Sequence, residues 1–94
     1  MSITEIEIQL YKEKFGRNLK KIRESKNLTQ FDLATAMNNL MLESNIEKTT
    51  ISRIENGRTN ITLSTAIKIS IALEIELKEL FDFEIKDKID FHQD

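Results

Sequence analysis

The sequence predicts an all-α domain, and two observations carry that prediction. The chain of 94 residues has no proline and only two glycines, while glutamate, lysine, leucine and isoleucine are abundant. Its apolar residues recur at spacings of three and four over most of its length. With 39% hydrophobic and 32% charged residues, the chain is too apolar for full disorder, and its length fits one small domain.

The first predicted helix covers residues 2–26. Ser2 and Glu5 have the spacing of a capping box. An apolar stripe at helical spacing follows: Ile8, Tyr11, Phe15, Leu19 and Ile22. Gly16 interrupts this stripe and marks either a kink or a second start. One long helix and an arm followed by a helix therefore both remain open.

Two short helices are predicted next. Thr29 is a suitable N-cap for the second. Apolar positions then continue at helical spacing through Leu33, Ala34, Met37, Leu40 and Met41. Asn38-Asn39 and Glu43-Ser44-Asn45 are polar and break-prone, so residues 38–45 form either extra turns of helix 2 or a protruding loop. The third helix starts near Glu47 and ends at Asn56 and Gly57, because glycine readily takes the left-handed position after a helix.

Thr62 predicts the cap of a fourth helix, and a short fifth helix follows it. Residues 82–94 fit an extended tail or an edge strand. The predicted core consists of Leu19, Ile22, Leu33, Ala34, Met37, Ile46, Ile51, Ile54, Leu63, Ile67, Ala72, Leu73, Leu77 and Leu80.

The composition excludes several classes of protein. Without cysteine there is no disulfide framework, thiolate nucleophile or cysteine-based zinc site. The single histidine, His92, is expected to be solvated, so neither a catalytic relay nor a metal site is predicted. No glycine-rich cofactor loop, membrane-spanning run or secretion signal is present. We therefore expect a cytoplasmic protein that is not an enzyme, uses no cofactor and has no membrane partner.

Charge is distributed unevenly along the chain. Residues 1–61 carry ten Lys/Arg and eight Asp/Glu, whereas residues 62–94 carry four and eight. A basic face can therefore coexist with the overall net charge of −2. The outer face of helix 3 is predicted to carry Lys48, Thr49, Ser52, Arg53 and Asn56. Side chains of these types contact base edges and phosphates.

The sequence resembles the helix-turn-helix regulators of the Xre/Cro/lambdoid-repressor family. Thr29-Gln30 with Leu33-Ala34, and Ile-Ser-Arg-Ile-Glu-Asn-Gly at 51–57, are specific in combination. Residues 19–23 and 63–81 also match, and the resemblance covers about 15–81. It implies a compact five-helix lambda-repressor-like DNA-binding domain over 15–81, with a helical arm at 1–14 and a short tail at 82–94.

The resemblance also implies roles for matched positions. The positions that contact bases in the family are matched here by Lys48, Thr49 and Arg53. The positions that contact the DNA backbone in the family are matched here by Gln30, Asn56, Arg58, Thr59 and Asn60. Arg23 and Glu55 match a pair that forms a structural salt bridge in some relatives.

The chain departs from the family pattern in four places. Between Ala34 and Ile51 it is about seven residues longer, with the surplus at Asn38–Ser44. This surplus requires either a longer helix 2 followed by a loop or an outward loop. The insertion is either tolerated at the surface or contacts DNA or a partner. Met41 and Leu42 favour contact with a partner, because they would otherwise be exposed. Asn45 and Glu74 stand where glycine is common, so the corner after helix 4 is expected to differ. Glu47 stands where small hydroxyl residues are usual.

The predicted function is a sequence-specific DNA-binding transcriptional regulator, a repressor, that reads the major groove with helix 3. A homodimer on a palindromic operator of double-stranded DNA is expected, because one helix reads only about 4–6 base pairs. The alternative is an antitoxin or another interaction module that binds a protein partner. Apolar residues outside the predicted core favour it: Ile3, Ile6, Leu10, Phe83, Ile85 and Phe91.

Overall fold

Four α-helices and a closing 3-10 helix form the computed structural model, which describes residues 1–40 and 45–85. They are α1 (Ile3–Ser25), α2 (Gln30–Leu40), α3 (Lys48–Glu55), α4 (Leu63–Leu73) and the 3-10 helix Leu77–Phe81. Over this described part there is no strand, and no helix is long and apolar enough to cross a membrane. The predicted all-α class is confirmed. Met41, Leu42, His92 and the rest of 86–94 lie outside the described residues.

The predicted short fifth helix is present as a 3-10 helix, so the described residues form four α-helices rather than five. Its bonds have three-residue spacing: the amide of Glu79 donates to Glu76 O at 3.0 Å, and that of Asp82 donates to Glu79 O at 3.4 Å. A stretch of five residues is typical of 3-10 geometry, which occurs in short pieces. The edge strand considered for the tail does not appear over 82–85.

Side-chain caps start three of the helices where the sequence predicts them. Ser2 Oγ accepts from the amide of Glu5, and the Glu5 carboxylate accepts from the amide of Ser2. Thr29 and Asp32 form the same reciprocal pair at α2, at 3.0 and 2.9 Å. The amide of Thr29, which donates to the Asp32 carboxylate, lowers the pKa of this exposed carboxyl because it favours the charged form, and the Thr29 side chain adds to the effect. Thr62 Oγ1 accepts from the amide of Thr65 at α4.

The first helix is continuous through Gly16, which settles the alternatives left open by the sequence. Gly16 is buried, and any side chain there would collide with the carbonyl oxygens of Ile54 and Glu55 at the end of α3. The glycine therefore permits close packing of α1 against α3 rather than a kink.

The core lies between the four helices and the 3-10 helix. Its buried apolar residues are Phe15, Leu19, Leu33, Ala34, Met37, Ile51, Ile54, Ala66, Ile69, Leu73 and Leu80. The prediction was wrong at Leu63 and Ile67, which are 67% and 39% exposed. Helix α4 has apolar residues on most of its sides, so the hydrophobic pattern did not fully identify its inner face; Ala66 and Ile69 occupy it together with Leu73, which was predicted correctly.

The connection between α2 and α3 is held by one side chain. Helix α2 continues over residues 38–40, and the amide group of Asn38 then pairs with both backbone groups of Ile46. Asn38 Nδ2 donates to Ile46 O at 2.8 Å, and the amide of Ile46 donates to Asn38 Oδ1 at 2.7 Å. The chain thus returns to α2 before α3 begins, as an extended second helix requires.

The corner after α4 does not differ in the way that the sequence led us to expect. Glu74 takes the left-handed conformation, with φ 57° and ψ 44°. Its amide donates to Ile71 O, and the amide of Ile75 donates to Ser70 O, each at 3.0 Å. This is the ending that glycine usually supplies, so the two hydrogen bonds hold a residue that rarely takes this conformation.

Candidate nucleic-acid interface

Helix α3 separates a buried face from an exposed face. Ile51, Ile54 and Glu55 are buried, whereas Lys48, Thr49 and Arg53 are exposed. The side chains of Lys48 and Arg53 make no hydrogen bond or ion pair with any residue that the structure describes. Two cationic donors on this helix are thus free to bind acceptors outside the protein, whether base edges or phosphates. The structure brings all three predicted base-contact residues to one exposed surface.

The end of α3 orients the predicted backbone-contact segment 56–60. Gly57 takes a φ of 69°, its amide donates to Ile54 O at 3.1 Å, and the amide of Arg58 donates to Arg53 O at 2.9 Å. This pair of bonds is a Schellman ending, which turns the chain sharply away from the helix axis. Asn56, Arg58 and Asn60 are exposed beyond the turn, while Thr59 is half-buried.

A buried ion pair joins α1 to α3. Arg23 Nε donates to Glu55 Oε2 at 2.7 Å, and Nη2 donates to Oε1 at 3.0 Å, which is the two-pronged geometry of a strong pair. The third guanidinium nitrogen donates to Leu28 O at 2.7 Å. The hydrogen bond to Glu55 raises the pKa of Arg23 above its ordinary value, despite the opposing effect of burial. The structural salt bridge implied by the resemblance is therefore present.

Gln30 belongs to the same network. Its Nε2 donates to Glu55 Oε1 at 3.0 Å, and the side chain is half-buried. One amide hydrogen of Gln30 therefore remains for a partner outside the protein, beside the backbone N–H groups at the start of α2.

A contact that sequence reasoning missed joins the N-terminal half of α1 to the segment after α3. Gln9 Nε2 donates to Gly57 O and to Glu13 Oε2, both at 3.0 Å. Glu13 packs against Gly57, so closely that a Cβ there would lie 2.8 Å from Glu13 Cγ. Gln9 lies on a polar face of α1, where the hydrophobic pattern gives no information about contacts. Only the fold therefore reveals this link between α1 and the segment after α3.

Glu47 is the N-cap of α3, but its side chain makes no capping hydrogen bond. The carboxylate is exposed, and its Oε2 accepts from Thr49 Oγ1 at 3.4 Å. The negative charge therefore lies beside two predicted base-contact residues, Lys48 and Thr49.

Comparison with known proteins places this geometry in a family. The family model described as Helix-turn-helix (HTH_3) matches residues 19–80, more than half of the chain. The chain belongs to this family. The Xre-type resemblance in the sequence is thereby confirmed, and α2 and α3 are the two helices of its helix-turn-helix motif.

Three relatives and one solved structure are similar to this helix-turn-helix protein. Control protein C.BamHI of Bacillus amyloliquefaciens is 40% identical over 70 residues, 73% of this chain and 78% of the relative. Control protein C.MunI of Mycoplasma sp is 39% identical over 71 residues, 74% of this chain and 86% of the relative. The HTH-type transcriptional regulator SlrR of Bacillus subtilis (strain 168) is 44% identical over 50 residues, 52% of this chain and 33% of the relative.

The solved structure is the restriction-modification controller protein C.AhdI from Aeromonas hydrophila. It has a TM-score of 0.65 and 32% identity, and the match covers 73% of this chain and 90% of that one. These relatives are regulators and controller proteins, so the prediction that this protein is not an enzyme is confirmed. It is a helix-turn-helix DNA-binding transcriptional regulator.

Proposed function

We propose that the protein is a homodimeric repressor that acts in the cytoplasm and reads the major groove of a palindromic operator with α3. The observation that carries this proposal is the exposed surface of α3, where Lys48 and Arg53 have no partner among the described residues. Arg53 is assigned a guanine, since arginine can donate to O6 and N7 together. Thr49 offers a hydroxyl group and a methyl group, and the methyl suits thymine.

The predicted backbone contacts support a fixed register on the duplex. Arg58 and Asn60 are exposed just past the end of α3, and Gln30 begins α2, where first-turn amides have no acceptor within the helix. Phosphate contacts at both places would fix the orientation of α3, because such contacts position a protein without reading sequence.

An exposed apolar face supports the homodimer. Along α4, Leu63, Ile67 and Ile71 recur at a spacing of four residues and are 67%, 39% and 54% exposed. Leu63 also lines a groove of about 360 Å³ with Tyr11, Phe81 and other apolar residues. Two predicted backbone-contact residues, Thr59 and Asn60, also line this groove, so the groove is left out of the proposed dimer surface. We call Leu63, Ile67 and Ile71 the dimer face; a two-fold axis there would leave both copies of α3 free, with half-sites about 34 Å apart.

Repression follows from occupancy, because a dimer that covers an operator within a promoter excludes polymerase from the same DNA. C.AhdI is named as a restriction-modification controller protein. Genes of a restriction-modification system beside the gene for this protein are therefore the first targets to test.

Selection of bound sequences from random duplex DNA, with the purified protein alone, tests the proposal. We expect an enriched palindrome with two half-sites one helical turn apart. No enrichment at low salt would overturn the proposal. A reporter placed downstream of the selected operator then distinguishes a repressor, which lowers its expression, from an activator, which raises it.

Sedimentation equilibrium tests the dimer face. Ile71→Lys places a charge on that face without touching the core, and we expect it to weaken dimerisation and operator binding together. Ile3→Lys is the matched control, since Ile3 is 49% exposed and lies outside the dimer face. Equal effects of the two substitutions would show that the dimer uses another surface.

A protein partner is the second candidate function, and apolar residues of α1 favour it. Ile3 is exposed, while Ile6 and Leu10 are half-buried on the same side of the helix. An antitoxin or interaction module could use this side of α1 while α3 contacts DNA. Co-purification of a stoichiometric partner with wild-type protein, but not with Ile3→Lys, would support this candidate. Phe91, which the sequence also suggested for this role, lies outside the described residues.

A further inference from the structure

We infer that Glu47 selects a cytosine at one position of each operator half-site, a role that rests on the proposed reading of the major groove by α3. Glu47 is the N-cap of α3, and its carboxylate is exposed. A residue that only capped the helix would accept hydrogen bonds from first-turn amides, but Glu47 makes none with its side chain. Instead its Oε2 accepts from Thr49 Oγ1 at 3.4 Å, which holds the carboxylate toward the exposed surface of α3.

The electrostatics of DNA limit what this carboxylate can bind. Phosphates repel it, so Glu47 opposes the binding of any duplex that offers it no donor. The major groove presents two amino donors, N4 of cytosine and N6 of adenine. Adenine also presents its N7 acceptor beside N6, and that lone pair repels a carboxylate. Cytosine has no such acceptor on its own edge, so the carboxylate fits N4 of cytosine.

The neighbouring residue fits the other half of the same base pair. Lys48 is exposed and has no partner among the described residues, and its ammonium group can donate to O6 or N7 of guanine. Adjacent negative and positive side chains thus match the donor of cytosine and the acceptors of guanine. The pair Glu47–Lys48 therefore favours a C·G base pair in one orientation.

Binding-site selection with wild-type protein and the Glu47→Gln variant tests the inference. Glutamine has nearly the shape of glutamate, and the absence of a capping bond means that its substitution leaves the start of α3 intact. We expect wild-type protein to enrich C·G at one position of each half-site. The variant should lose that preference, or change it to adenine, which glutamine can bind in a two-pronged way. All other positions should stay the same.

Fluorescence anisotropy then measures the effect on defined duplexes. Replacing the selected C·G pair by T·A in both half-sites should weaken wild-type binding by about tenfold per half-site, a small value for a base contact. The same change should alter binding of the Glu47→Gln variant by less than about twofold. Glu74→Gln is the charge-matched control, since Glu74 is exposed at the distant corner after α4, and it should behave as wild type.

The outcomes separate this inference from the proposed function. An enriched operator whose sequence is unchanged by Glu47→Gln would overturn the inference alone. Uniformly tighter binding of the variant to every sequence would also overturn it, because Glu47 would then act only by general repulsion. If wild-type protein enriches no sequence, the proposed function fails and the inference falls with it.

Discussion

Glu55→Ala should cost more stability than any exposed substitution in this protein, because Glu55 is the acceptor of a buried network. It accepts two hydrogen bonds from Arg23 and one from Gln30, and the two members of the ion pair are 6% and 5% exposed. Without Glu55, the guanidinium group of Arg23 stays buried and has no anion. Breaking one side of a buried pair costs about 3–5 kcal/mol. A chain of this size is stable by roughly 5–14 kcal/mol, so the variant should fold but with a small margin.

Equilibrium unfolding in urea, followed by far-UV circular dichroism at fixed protein concentration, measures this loss. Lys78→Ala is the matched control, because it breaks an exposed ion pair in which Lys78 Nζ lies 3.2 Å from Glu76 Oε2. That control should lose less than about 0.5 kcal/mol. Replacing Arg23 and Glu55 together by apolar residues of similar size should recover most of the loss. A loss below about 1 kcal/mol for Glu55→Ala would refute the reasoning, as would equal losses for Glu55→Ala and the control.

Four other substitutions test the remaining contacts. Arg53→Ala should weaken operator binding by about 1–3 kcal/mol and relax one position, whereas Arg58→Ala should weaken binding to all sequences alike and flatten the salt dependence; parallel titrations at several salt concentrations distinguish them. Gly16→Ala should destabilise the fold by about 1–3 kcal/mol in urea unfolding, because the added methyl group meets backbone carbonyls of α3; an increase in stability would show that the two helices separate easily. The pKa of the Asp32 carboxyl is lower in the folded protein than its ordinary value of 3.8, so its hydrogen bonds stabilise the fold fully at pH values above 3.8. This stabilisation is lost as the pH falls through the folded-state pKa. Asp32→Asn should therefore make thermal stability less dependent on pH in that acidic range, and an unchanged pH profile would contradict the assignment.

The sequence predicted well the features that depend on local patterns. The caps at Ser2, Thr29 and Thr62 were predicted correctly, because an N-cap is a contact between residues three apart. The buried face of a helix was harder to predict where apolar residues lie on most of its sides. In α4 the pattern allowed Ile67 to be buried, and only packing against α2 and the 3-10 helix decides that Ile69 is buried instead.

The candidate site also has features that the sequence could predict and features that it could not. The exposed surface of α3 could be predicted, because its polar residues have helical spacing and match the family pattern. The hydrogen bond from Gln9 to Gly57 could not be predicted, since it joins residues 48 positions apart and neither residue type indicates the other as its partner. Likewise, the pairing of Asn38 with Ile46 depends on how the chain returns after the insertion.

The contacts between α1 and the end of α3 show how α1 positions α3. Gln9, Gly16 and Arg23 are spaced by seven residues, about two helical turns, so they lie on one side of α1. Gln9 holds Gly57 O, Gly16 lets the backbones of α1 and α3 approach, and Arg23 pairs with Glu55. Only Arg23 falls within residues 19–80, which the family model matches. Gln9 and Gly16 therefore support α3 from a part of the chain that lies outside the match to the family model. The N-terminal half of α1 is thus part of the support for α3, because Gln9 binds the backbone where α3 ends and the segment 58–60 begins.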